Sequence, residues 1–117
     1  MRACLVLLLL LISQNTFAQA CIIESVSEQV KIKICQQNRN IPEQLFTSGF
    51  CQPQLKGYKT TVTFVEHCPA GAFGVCHNAQ SAGVPYQQDI HYYGVETDAQ
   101  YLKPACEQQS KGAWLDL

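Results

Sequence analysis

The chain has 117 residues, with eight Lys and Arg against nine Asp and Glu, a formal net charge of −1 and seven cysteines. That near-neutral balance excludes the concentrated basic surface a nucleic-acid or anionic-membrane partner needs, and the length allows one small domain. Seven cysteines in so short a chain point to a disulfide framework, and hence to export from the cytoplasm.

The chain opens with Met1-Arg2-Ala3-Cys4, an apolar run from Leu5 to Ile12, polar Ser13-Gln14-Asn15-Thr16, and Ala18-Gln19-Ala20. One base, a short apolar core and a small-x-small site are the three regions of a secretory signal. The run is far shorter than the roughly 18–20 residues of a membrane span. Residues 1–20 are therefore read as a signal peptide and residues 21–117 as a single disulfide-rich domain; cleavage after Ala18 also fits. Cleavage after Ala20 would make Cys21 the first residue and raises a second reading, a structural envelope lipoprotein anchored through Cys21. Acylating it would strand an odd thiol among Cys35, Cys51, Cys68, Cys76 and Cys106. Ala18 and Gln19 also depart from the Leu and small residue such a site takes. The soluble periplasmic or secreted chain is preferred.

Val30 to Cys35 alternates β-branched residues with lysines, the pattern of a half-buried strand. Ile22, Val26, Val30 and Ile34 also recur every fourth residue, which suits a helix, so 22–29 is left open between the two. Asn40-Ile41-Pro42-Glu43 begins a helix, with Pro42 early and an acid in the first turn. Leu45, Phe46, Phe50 and Cys51 form its apolar side, and Lys56-Gly57 ends it. Thr60 to His67 reads as a strand, with Val62 and Phe64 on one face and Thr61, Thr63 and Val65 on the other. Pro69 to Gly74 is a turn leading into Val75-Cys76-His77, and a further strand covers Gln87 to Tyr93. Thr97-Asp98-Ala99-Gln100 has the form of a capping box before Tyr101, Leu102, Ala105 and Cys106. Pro104 obstructs a continuous helix there and suggests a second short one. Lys111-Gly112 is the stop, and Trp114 lies beyond it, packing back.

Cys51 to Tyr58 and Cys106 to Trp114 share Cys-[Gln/Glu]-x-Gln-x-Lys-Gly followed by an aromatic, which suggests two related units of about 50 residues. Six cysteines allow 15 pairings. Equal spacing favours Cys21–Cys51 and Cys76–Cys106, leaving Cys35–Cys68. Matching Ile34-Cys35-Gln36 with Val75-Cys76-His77 instead gives Cys35–Cys51 and Cys21–Cys68. Cys76–Cys106 is common to both.

Cys68-Pro69, Gly74-Val75-Cys76, Tyr92-Tyr93-Gly94, Cys106 and Gly112-x-Trp114 together resemble an uncharacterised group of small exported Cys-rich bacterial proteins and lipoproteins. The resemblance covers most of the chain after Val30, with Cys35 and Cys51 as its earlier strand and helix cysteines. It implies a compact envelope protein and brings no catalytic residues.

His67-Cys68 and Cys76-His77 carry zinc's preferred ligand types, yet strand neighbours face opposite ways and exported thiols oxidise. No metal and no cofactor is expected. Asp89, His91 and Tyr93 share a parity on one strand, an acid, an imidazole and a phenol that a cleft would turn to acid–base work. Tyr86, Tyr93 and Trp114 are the candidate binding aromatics. The expected fold is α+β: a small antiparallel sheet of about three or four strands with two helices on one side, disulfide-stapled and built from duplicated halves. The expected role is a noncatalytic module that binds or inhibits an unknown protein or cell-envelope polymer, since a rigid cross-linked domain loses little entropy on binding. The enzymatic alternative is a small hydrolase using His91 with Asp89 or Glu66.

Overall fold

A computed structural model describes residues 19–52, 57–81 and 83–117. Residues 1–18 of the expected signal segment 1–20, and Leu55 and Lys56 of the expected first helix ending, lie outside them. In chain order the elements are β1 (Ala20–Val26), β2 (Lys31–Asn38), a helix α1 (43–50), β3 (Lys59–Val65), β4 (Gly74–Gln80), β5 (Gln87–Tyr93), a helix α2 (96–109) and β6 (Ala113–Asp116). The α+β class and the disulfides are as expected, but the sheet has six antiparallel strands among the described residues instead of three or four. The open segment 22–29 is mostly strand, Val75-Cys76-His77 belongs to a full strand, and Trp114 sits on one.

Strand order β3-β1-β2-β5-β4-β6 reads the same from either edge in terms of chain connectivity. Each half is a hairpin, then a helix, then a strand that returns to flank the hairpin's first strand. The halves meet where β2 pairs with β5, and Gln36 faces Ile90 at the centre. Gln36 pairs outward with Cys21 and Ile90 with Cys76, so each half places its first cysteine next to the centre. The same row continues to Phe64 on one edge and Trp114 on the other. Partners opposite one another in a ladder share a face. Cys21 and Cys76 therefore project from the same side, and both bridge upward to a helix, as Cys21–Cys51 and Cys76–Cys106. Cys35 has the opposite parity and bonds Cys68 across the other face. This is the first of the two pairings that the sequence left open.

Two apolar clusters lie between sheet and helices. One joins Cys21, Ile23, Ile41, Phe46 and Cys51, with Ile34, Phe50, Val62 and Tyr86 packed against it. The other joins Cys76, Ala79, Cys106 and Trp114, with Phe73, Ile90, Tyr92, Ala99 and Leu102 around it. In the second, two glycines interlock with the groups they face. A Cβ on Gly74 would overlap the Trp114 ring, and one on Gly112 would lie 2.7 Å from Cys76 Sγ and 3.1 Å from Cys106 Sγ. The Gly-x-Cys and Gly-x-Trp patterns are thus one packing arrangement, each glycine making room for the other motif's large or cross-linked residue.

The first helix starts at Pro42 and Glu43 as expected, and the second starts differently. Thr97 and Gln100 form no capping box: α2 begins as a 3-10 turn, Glu96–Asp98, and no side chain caps it. Pro104 lies inside the helix, ending the α-helical stretch Ala99–Pro104 where a π turn, Ala105–Gln109, takes over. A missing amide is tolerated where the hydrogen-bond ladder changes step.

Candidate functional site

The sheet face opposite the helices carries the polar residues that parity predicted. Asp89 is buried and fully engaged. Its Oδ1 accepts from the Asn78 backbone N–H at 2.9 Å and lies 2.9 Å from His77 Nδ1, and its Oδ2 lies 3.6 Å from Arg39 Nη1. The geometry comes from a bulge in β4 between Cys76 and Ala79. There Asn78 has φ 55, a left-handed conformation that Asn tolerates better than most residues. The bulge turns the Asn78 amide towards the carboxylate.

His91 is two residues further along the same face, opposite Cys35 on one side and Val75 on the other. Burial holds its pKa below the ordinary histidine value, opposed by the negative charge of Asp89. Tyr93 donates its hydroxyl to Pro69 O at 2.6 Å, and Lys33 Nζ stands 5.1 Å from its ring centre. Burial raises the pKa of this phenol. Gln37 holds the same covering loop: its Oε1 accepts from Cys68 N at 3.0 Å, and its Nε2 donates to Glu66 O at 3.4 Å. Glu66 takes part through its backbone.

Asp89, His91 and Tyr93 thus share a face as expected, but Asp89 is engaged by His77, a residue that sequence reasoning had weighed only as a zinc ligand. An acid orienting an imidazole is half of a general-base arrangement. The other half is a nucleophile in a cleft, and among the described residues the main grooves are lined by none of Asp89, His77, His91 or Glu66. Three of the four residues weighed for zinc are used otherwise, Cys68 with Cys35, Cys76 with Cys106 and His77 with Asp89.

The apolar concavity lies elsewhere, on the helix side at the end of the sheet where β2 starts. It encloses about 420 Å³. It is lined by the continuous run Gln29 to Ile34, by Phe73, Tyr92 and Tyr93, and by Val95, Asp98, Tyr101 and Leu102 of the α2 region. Its size and predominantly apolar lining are those of a ligand site. Val30, Val95 and Tyr101 stand exposed at its rim, Val95 at 62% and Tyr101 at 70%.

Of the aromatics proposed from sequence, none is a free anchor. Trp114 is buried, with its ring 5.6 Å from that of Tyr92; Tyr86 packs on the first cluster; and Tyr93 lines the groove but has its hydroxyl tied to the loop at Pro69. Tyr101 was assigned to the packed side of its helix with Leu102 and Cys106. Leu102 and Cys106 are four apart and define the buried stripe, which leaves Tyr101 beside it; that spacing was the available signal. No protein family, curated protein or solved structure matches this chain.

Proposed function

We propose that this is an exported, noncatalytic protein that binds another macromolecule, a protein or envelope polymer, in the periplasm or outside the cell, and that the groove between β2 and α2 is its contact surface. One observation carries the reading: an apolar groove whose rim exposes Val30, Val95 and Tyr101. Exposed apolar side chains clustered about a concavity mark interaction sites in small soluble domains. Three disulfides fit an oxidising compartment, and no helix among the described residues is long and apolar enough to cross a membrane. Ala20 is fully buried in β1, paired with both neighbouring strands, which favours signal cleavage after Ala18 over cleavage after Ala20. Cys21 bonded to Cys51 argues against the anchored form, because acylation would consume the same sulfur. Nothing specific favours the hydrolase, since Asp89 is engaged by its three partners and His91 lines none of the main grooves among the described residues.

The test is capture from envelope and culture extracts by the oxidised protein, beside variants Val95→Asp and Tyr101→Asp. Both positions are exposed, so folding should be preserved within about 0.5 kcal/mol. A stoichiometric partner that both variants lose supports the reading. A partner retained by both, or none in either extract, sinks it.

A further inference from the structure

The symmetry of the sheet shows what the groove lacks. Counting from the central pair Gln36 and Ile90, the residue five places on is Ile41 in the first half and Val95 in the second. Ile41 is 4% exposed and Val95 62%. In the first half the chain runs on past the end of β2 beside the start of β5. Arg39 and Asn40 donate their backbone N–H groups to Gln87 O at 3.2 and 3.4 Å, and Asn40 Oδ1 accepts from Gln87 N at 2.6 Å. Ile41 then enters the core, where Tyr86 packs on the same cluster. In the second half the equivalent of Asn40 is Gly94, which has no side chain and a φ of 102 that turns the chain away. Pairing of β2 with β5 stops at Lys33 and Tyr93, although β2 begins at Lys31. Among the described residues no strand lies beside Lys31 and Ile32 on that side, and the groove runs along this unpaired edge.

We infer that the groove takes an extended segment of a partner polypeptide, which continues the line of β5, hydrogen-bonds to the free edge of β2 at Lys31–Ile32, and seats an aliphatic side chain against Tyr92 and Leu102. The segment does for the second half what Arg39 to Ile41 do for the first. Strand addition of this kind draws affinity from main-chain hydrogen bonds and selectivity from alternate side chains. This inference rests on the binding reading above and narrows it to one ligand chemistry.

The probe is an acetylated and amidated peptide with the sequence of residues 37–42, titrated into the isotope-labelled, oxidised protein and followed by amide resonances and hydrogen exchange. The expected result is shifts at Lys31, Ile32, Val95 and Leu102, with exchange at the β2 edge slowed about tenfold at saturation. A peptide N-methylated on alternate amides, in each of its two registers, should lose this in one register only. If both registers shift the same resonances as the parent peptide, the groove is an apolar pocket without strand pairing: the inference falls and the binding reading stands. If the parent leaves Lys31 and Ile32 unmoved at millimolar concentration, the inference also falls. Capture insensitive to Val95→Asp and Tyr101→Asp would instead remove the binding reading itself.

Discussion

The two halves share a connectivity and a cysteine placement, yet fill their cores from opposite layers. In the first half the helix and its lead-in supply the bulk: Ile41, Phe46 and Phe50 descend on a sheet of smaller side chains, and Phe46 is fully buried. In the second the sheet and loop supply it, through Tyr92, Trp114 and Phe73, while the helix contributes Ala99 and Leu102. Trp114 is 8% exposed, whereas its row partner at the other edge, Phe64, is 47% exposed. The same scaffold thus closes one core under its helix and leaves the other with an open groove beside it. A symmetric framework can carry an asymmetric surface when the large residues change layers.

The comparison can be broken most severely at the helices. Phe46→Ala should cost about 3–5 kcal/mol, the range for emptying a buried aromatic site. Leu102→Ala, at a half-buried position, should cost about 1–2 kcal/mol; equal losses in denaturant titrations would show that the helices carry equal weight. Next come the two helix-to-sheet bridges. Each spans 30 residues, so replacing both cysteines of either by Ala should remove about 3–4 kcal/mol on the loop-entropy estimate. Unequal midpoint shifts would reveal that strain or packing, and not chain closure, dominates in one half.

The two Lys-Gly endings sharpen the contrast at smaller cost. Gly57 has φ 84 and open space where a Cβ would stand; Gly112 lies against the Cys76–Cys106 bridge. Gly57→Ala should lose about 1–2 kcal/mol, part of it recovered by Gly57→Asn, because Asn tolerates the left-handed region. Gly112→Ala should lose about 1–3 kcal/mol from overpacking, and Gly112→Asn should be worse. A recovery by Asn at 112 would contradict the packing role. The smallest effect concerns the open face. The neutral form of His91 is favoured in the fold, so its pKa lies below the ordinary 6.5. As pH falls through that value, the unfolded chain takes up the proton first and stability declines until the folded-state pKa is passed. His91→Gln should flatten this decline as pH falls through the ordinary histidine value of 6.5; an unchanged slope would mean that other groups cause it.

Much of the framework was legible locally. The β-branched runs around Ile32 and Val62 and the Pro42 helix start describe their own conformations, because backbone preference and turn chemistry act over a few residues. The strands missed were those whose pattern is weak alone. Ile22 to Val26 satisfies a four-residue spacing as well as a two-residue one, and Ala113–Asp116 is a strand only because Trp114 is held over Gly74. The capping box failed for a related reason: a hydroxyl and an amide at the right interval do not cap a helix that begins as a 3-10 turn.

The site was legible in fragments. Parity put Asp89, His91 and Tyr93 on one face, but could not show that a bulge at Asn78 brings His77 to Asp89, since that contact joins two strands and depends on a register shift. Tyr101 was assigned to a packed side by periodicity, and only the position of the bridge at Cys106 relative to Leu102 decides which stripe is buried. The sequence by itself determined the disulfide character, the α+β class and the Cys-to-Gly motif shared by the two halves, all properties of composition or of short windows. Only the tertiary structure decided that Cys35 bonds Cys68 on the open face, that six strands close into one palindromic sheet, and that one half leaves a groove where the other is filled. Those depend on which residues meet across the sheet, and long-range pairing is set by the fit of whole faces.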